Sequence, residues 1–450
     1  MRAWFWCSLL SLVLLGTLVP ACGDRDGGSG KGKESSPPAP PPVAAGLFIV
    51  GNDRGRIRPC GCSKPLLGGI ERRLALFGAL TPEAAEASLV LAFGDLVEAS
   101  GRQQELKVES FLESLTAIKA RVFCPADGDL LLGTTFWRES RQLASFPFVA
   151  GNLTKDDRPL FEPAVALDWG ERRVVVTSWL SPRSSLVTEP GVAVVADPDL
   201  APLRDLLEEG PGRAELVIYG NGERAEIEAW IDRSGLRAAA ASVLVVLRGV
   251  SDIPDLLHAE AGYAVLEMGK KGRDVARLDW PGEVRLERFT LDSARGRDPL
   301  AIQLLDFYRD QVREEDLLGK APMRGEVEGR YVGAETCMTC HVAAHQVWKG
   351  SGHARAWATL VESGDAADPE CVACHVVGFG LEGGFDPAVP APVDVQCESC
   401  HGPGAEHAAG GAVPTPAGKL GERDCFGCHD LENSPAFRFE DYWPRIAHGK

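Results

Sequence analysis

Methionine is scarce in this 450-residue chain, with only four residues, at positions 1, 268, 323 and 338. A basic run is missing altogether, and the formal charge is −17. That balance excludes nucleic acid as a partner, because a polyanion needs a clustered basic face. Long apolar runs are missing beyond the first 22 residues, so no second segment is long enough to cross a bilayer. Histidine is sparse too, at nine residues, and eight of the nine follow position 340. A sequence poor in both soft axial donors, yet with its histidines concentrated in one third of its length, points to chemistry in that third.

The first residues, "MRAWFWCSLLSLVLLGTLVPACGD", have a positive start, an apolar stretch and small residues before a cysteine. This is the pattern of an export signal. "LVPAC" resembles a bacterial lipobox, so residues 1–22 are expected to end at a lipidated Cys22, against the alternatives of an ordinary cleaved signal or an uncleaved anchor. Gly23 rather than Asp after the cysteine favours the outer membrane, on the periplasmic side. Residues 23–46 are Gly, Ser, Pro and charge, the composition of a disordered tether.

Thirteen cysteines follow a sharp division. Cys7 and Cys22 lie in the leader; Cys60, Cys62 and Cys124 lie in the first half. The other eight form four C-x-x-C pairs, each followed at once by histidine: "CMTCH", "CVACH", "CESCH" and "CFGCH". Two thiols can add across the two vinyl groups of a porphyrin, and the adjacent imidazole is then held beneath the iron. Zinc also uses C-x-x-C pairs but has no need of a histidine after each. Four covalent haem c groups are therefore expected on Cys337/Cys340, Cys371/Cys374, Cys397/Cys400 and Cys425/Cys428. The proximal ligands are His341, His375, His401 and His429. Methionine on the far side of the iron would raise the potential and histidine would lower it. Met338 lies inside a haem motif and cannot reach round its own haem. Histidine is left, and the region offers His345, His353, His407 and His448. His345, four residues after His341, would share a helical face with it and cannot reach the other side of that iron; a solvent-exposed role is expected for it.

"CMTCHVAAHQVWKGSGHARAW", "CVACHVVGFGLEGGF" and "CESCHGPGAEH" resemble the tetrahaem cytochrome c-554 family over nearly all of residues 331–450. The resemblance implies three irons with two histidines and one with an open face. By it, His407 caps the first haem (His341), His353 the third (His401) and His448 the fourth (His429). The second haem, on His375, stays open. A mainly helical and irregular multihaem domain is expected here. With 7 Lys/Arg against 16 Asp/Glu, a formal −9, it should favour redox partner proteins with a basic docking face.

Residues 47–295 alternate apolar runs ("GLFIV", "ASLVLAF", "RRVVVTSW", "AELVIY", "SVLVVL") with amphipathic stretches ("GGIERRLALFGAL", "QQELKVESFLESLTAIKA", "PDLAPLRDLLEE"). This predicts an α/β sandwich. "YAVLEMGKKGRDVARLDW" reads as a hairpin, and residues 296–330 as a long helix and linker into the haem domain. "GNDRGRIRPCGCSKPLLGGIERRLALF", "FGDLVE" and "FPFVAGNL" resemble the metallophosphoesterase domain of 5′-nucleotidases, in degenerate form. Asp53 and Asp95 persist, but Gly55 and "PADGD" stand where that family has histidine-bearing loops, and the later strand ends read "IYGNGE" and "VLRGV". The sole histidine, His258, reads as a surface helix or loop. Such a set cannot hold two metal ions, so a docking or structural module is expected rather than a working phosphatase. Cys124 and either Cys60 or Cys62 are expected to form a disulfide at the C-terminal edge of the sheet, with a three-thiolate metal site, a redox-active thiol or inert cysteines as the alternatives. The reading is thus an exported, lipid-anchored electron carrier. Its rivals are small-molecule chemistry, on nitrogen oxides, at the open haem, and a metal-dependent phosphoesterase carrying a cytochrome.

Overall fold

The computed structural model describes residues 43–59, 65–410, 420–430, 433–434 and 436–448. Cys22, Cys60 and Cys62 lie outside the described residues, as do the leader and residues 23–42. Among the described residues no helix is long and apolar enough to cross a membrane. Residues 42–450 form one compact unit. Order begins earlier than the expected tether boundary at 46: Val43 is buried, and the Arg277 guanidinium donates to the carbonyls of Ala44 and Ala45, each at 3.0 Å from Nε.

The apolar runs form strands because β-branched and aromatic residues fill both faces of a pleat. A five-stranded sheet has the order Arg285–Thr290, Asp274–Asp279, Leu47–Gly51, Leu89–Phe93, Phe123–Cys124, its last three strands parallel. A six-stranded sheet has the order Asp255–Glu260, Tyr263–Glu267, Val243–Leu247, Glu215–Asn221, Arg172–Leu180, Ala164–Trp169. Alternation at period two decides which core each side chain enters. Leu47, Ile49, Leu89, Leu91 and Phe93 meet Val174, Val176, Tyr219, Leu244 and Val246 between the sheets. Phe48, Val50, Val90 and Ala92 point the other way, into a core with Phe111, Leu112, Leu305 and Tyr308. The outer face of the second sheet is covered by helices Ala201–Glu208 and Arg224–Ser234. The body is a four-layer α/β/β/α sandwich, as expected.

Two local readings differ. "YAVLEMGKKGRDVARLDW" is not a hairpin: Tyr263–Glu267 joins the second sheet and Asp274–Asp279 the first, so the turn between them bridges the layers. His258 sits on the edge strand Asp255–Glu260, not on a helix or loop. The helix Pro299–Glu314 starts where Asp298 accepts from the amides of Leu300 (2.9 Å) and Ala301 (3.2 Å). Its Ala301, Leu305, Tyr308 and Val312 are buried, so the expected connector is part of the first core.

From residue 331 the chain changes character. The described helices are all of eight residues or fewer, and the local apolar core is the small cluster Leu360, Val372, Val376, Phe379 and Phe385. Phe93 anchors the sandwich by stacking on Tyr219 across the two sheets, centroids 4.9 Å apart and 7° from parallel. Phe93→Ala is expected to cost about 3–5 kcal/mol, read as a lowered guanidinium midpoint; a midpoint equal to wild type would contradict this packing.

Candidate metal centres

Each C-x-x-C-H motif is wound into a single helical turn. The His341 amide donates to the Cys337 carbonyl at 2.9 Å and that of His429 to Cys425 at 2.8 Å. This places the imidazole one turn beyond the first thiol, on the same face. His375 and His401 end the helices Pro369–His375 and Cys397–His401. The first and third motifs are locked together by Glu398. That buried carboxylate accepts from the amides of Val332 (3.0 Å), Gly333 (2.7 Å) and Gly404 (2.8 Å).

The remaining histidines arrive from elsewhere in the chain. His407, on the helix Ala405–Gly410, lies opposite His341 with ring centroids 5.9 Å apart. His353 lies 6.1 Å from His429, and His448 lies 5.9 Å from His401. Two imidazoles facing one transition metal from opposite sides, each nitrogen about 2 Å from it, have centroids roughly 6 Å apart. All three pairs fit iron between them. The pairing differs from that implied by the family resemblance: His353 sits with the fourth motif and His448 with the third. Burial holds the His353, His401 and His429 imidazoles below their ordinary pKa, which keeps the neutral, ligating form. His375 has its Nδ1 2.5 Å from the Ala356 carbonyl. A carbonyl only accepts, so Nδ1 carries the proton and Nε2 is the nitrogen left for a metal. Among the described residues, no second histidine ring pairs with His375.

The thiols make contacts between motifs. The Cys337 and Cys397 thiols lie close enough to act on each other's ionisation, as do Cys374 and Cys428, and the Cys428 sulfur brings the Cys374 thiol down to about 7. Groups attached through the first and third motifs are therefore neighbours, as are those attached through the second and fourth. The two thiols of the first motif differ in exposure. Cys340 alone of the eight motif cysteines is exposed, whereas Cys337 is half-buried. The reason is local packing: Cys397 and the Glu398 clamp cover the turn on the side of Cys337, and residues 338–343 are left at the surface. The Cys340 sulfur has the Thr339 hydroxyl 3.8 Å away. The Cys337/Cys340 pair thus lies at the surface of the domain. Apolar Met338, Val342 and Phe426 stand exposed beside the motifs, a lining suited to a porphyrin. His345 also departs from its expected exposed role: it is 4% exposed, lies against Trp348 at 5.2 Å and has its Nε2 3.5 Å from Glu335.

The α/β body places its surviving carboxylates at the C-terminal sheet edge, but with guanidinium groups upon them. Arg73 ion-pairs with Asp53, both side chains 1% exposed. Arg248 ion-pairs with Asp95 and reaches Asp127 at 3.2 Å. Asp127 also accepts from Asn221 (2.9 Å) and Ser184 (2.6 Å). Burial pushes Asp95 up to about 6, against the pull of Arg248. Gly272, at φ +57°, passes so close that a Cβ there would lie 2.0 Å from Asp53 Oδ1. Among the described residues, no group of three or more His, Cys, Asp or Glu is arranged to hold a metal. Sequence reasoning missed Arg73 and Arg248, although the signals were present in "GGIERR" and "VLRGV". Cys124 is fully buried, and burial raises its thiol's pKa; the expected disulfide falls on Cys60 or Cys62, outside the described residues.

Motif, turn and paired imidazoles define the C-terminal segment as a c-type cytochrome. The family described as cytochrome c554 and c-prime matches residues 336–402. Cytochrome c-554 of Nitrosomonas europaea is 33% identical over 141 residues, 23% of this chain and 60% of that protein. The C-terminal segment is thus similar to cytochrome c-554, and the chain spans only 60% of that protein's length. Among solved structures, a 5′-nucleotidase precursor from Thermus thermophilus is 18% identical (TM-score 0.48, 65% of this chain and 62% of that one). A sulfate thiohydrolase from the same organism is 14% identical (TM-score 0.48, 61% and 62%). A calcineurin-like phosphoesterase from Bacillus subtilis is 12% identical (TM-score 0.44, 61% and 99%).

Arg73→Met leaves Asp53 as a buried charge without a partner and is expected to cost about 3–5 kcal/mol in guanidinium denaturation. Adding Asp53→Asn should return part of that loss. A single variant as stable as wild type would remove the ion pair from the account.

Proposed function

We propose that the protein is an exported tetrahaem c-type cytochrome that transfers single electrons. Three irons are each held between two histidines: His341 with His407, His401 with His448, and His429 with His353. The fourth sits on His375 with its other face open. The observation that carries this reading is the near-6 Å separation of three histidine pairs drawn from distant segments. When bound, the haems supply reversible one-electron chemistry. The residues do the rest. The thiols would fix each macrocycle, the paired imidazoles would hold an iron between them, and the adjacent motifs would keep neighbouring groups within reach of each other. The lipid anchor at Cys22 holds the acidic body at a membrane surface, the outer membrane being favoured. There it meets partners with a basic docking face, and association weakens as salt rises.

A second reading is favoured by one feature, the lack of a second histidine at His375. An open iron can take a small ligand, and small-molecule chemistry on nitrogen oxides follows from that. A working phosphoesterase is disfavoured, since Arg73 already pairs with Asp53, and Arg248 with Asp95 and Asp127.

Low-temperature electron paramagnetic resonance of the oxidised protein tests the ligand set. Three low-spin signals and one high-spin signal are expected, with carbon monoxide binding to one reduced haem in four. His407→Ala should convert one low-spin iron to high spin and double the carbon monoxide stoichiometry. Four low-spin irons in the wild type would refute the open face, and an unchanged spectrum in the variant would refute the His341–His407 pair.

A further inference from the structure

The haem-bearing segment is clamped to the α/β body around the second motif. Three acids lie on or just before the helix Pro369–His375: Asp365, Asp368 and Glu370. Three elements of the α/β body reach them. From the loop after the first strand, Arg58 ion-pairs with Asp365 and donates to Asp368 at 3.0 Å. From the helix Arg102–Ala117, Gln103 donates to Asp368 at 2.7 Å, and Gln104 and Lys107 each reach Glu370 at 2.6 Å. From the helix Pro299–Glu314, Tyr308 donates to Asp368 at 3.2 Å and Arg309 to Asp365 at 2.9 Å. Arg56 lies within electrostatic range of Glu370. The same Arg58 amino group that holds Asp368 also lies 3.5 Å from the sulfur of Cys371.

We propose that Arg58 is a tuning residue for the second haem, raising its reduction potential through the Cys371 sulfur, so that the α/β body serves as that haem's permanent electrostatic partner. The proposal rests on Cys371 carrying a haem, as in the proposed function. Reduction adds one negative charge to the iron. A fixed cation nearby favours the reduced form, as it favours any more negative state of a neighbouring group. An N–H directed at the linking sulfur also draws electron density from the macrocycle's edge. The guanidinium is held by two carboxylates and its side chain is only 21% exposed, so solvent screens it weakly. The partners of Asp365 and Asp368 matter equally. Without Arg58 these carboxylates keep Arg309, Gln103 and Tyr308, and two carboxylates against one guanidinium leave net negative charge beside the second motif, which would lower the potential further. Arg58 is fixed at the second motif by Asp365, Asp368 and Cys371 together, so the effect should be confined to one haem in four.

The test is a spectroelectrochemical titration of the full chain. Arg58→Gln should lower one midpoint of four by on the order of tenfold in oxidised-to-reduced ratio, about 59 mV for a one-electron couple. Arg58→Lys, which keeps the charge, should restore most of it, and Asp365→Asn should move the same midpoint upward. A merely structural clamp would not give shifts of opposite sign. Four unmoved midpoints in Arg58→Gln, or four moving together, would overturn the proposal. If Arg58→Gln fails to fold, Asp365→Asn decides: no upward shift of a single midpoint overturns it. Peptide mapping of haem on Cys371 and Cys374 in the same samples separates the two failures. Absence of haem there defeats the cytochrome assignment, whereas haem present with unmoved midpoints defeats the tuning alone.

Discussion

A covalently attached haem leaves the chain one geometric requirement: its motif presents an imidazole to one side of the iron, and the opposite side must be reached from elsewhere. Around that constraint the last 120 or so residues are arranged. The motif turn is local and rigid, so it places the first imidazole without help. The second must cross sequence distances of 66 to 76 residues for His341 with His407 and for His353 with His429, and 47 for His401 with His448. Glu398 ties the amides of Val332, Gly333 and Gly404, and the His353 carbonyl accepts from Val395. These contacts fix the segments that carry the opposing rings. The modest apolar core of this region is consistent with haems supplying much of its interior.

The α/β body answers a different constraint. Its sheet edge retains carboxylates at the bottom of a well-packed sandwich, and a buried anion is costly unless paired. Arg73 and Arg248 provide fixed cations there. They leave these carboxylates paired with guanidinium groups, in a fold that binds its neighbour through a different face, the one bearing Arg58, Gln103, Gln104 and Lys107.

Much of this was legible in the residues. The strands at 47–51, 89–93, 172–180, 215–221 and 243–247 are runs of Val, Leu, Ile and Phe that have few alternatives to burial. The haem motifs were legible because their chemistry is local. Less was legible wherever distant segments decide the outcome. The stretch 263–279 looked like a hairpin because its two strands are close in sequence, but Gly272 carries the chain over Asp53 and into the other sheet. His353 and His448 were recognisable as ligand candidates, yet which ring each faces depends on packing that no spacing encodes. Nothing in the four motifs marks out Cys340; the packing of Cys397 and Glu398 on one side of the first turn leaves it exposed. His345 was expected at the surface because it shares a helical face with His341 and cannot reach the far side of that iron; Trp348 and Glu335 enclose it. The two arginines on the sheet edge lie in stretches read as an amphipathic helix and a strand end, since their pairing with Asp53 and Asp95 is visible only once the carboxylates are placed.

The central claim is that iron porphyrin, not zinc, occupies all four C-x-x-C-H turns. Intact-mass measurement of the protein purified from an exporting host, with a pyridine haemochrome assay on the same sample, tests it most directly. Four covalent haem additions per chain are the predicted result. A colourless protein of unmodified mass, or one binding zinc at these cysteines, would contradict it.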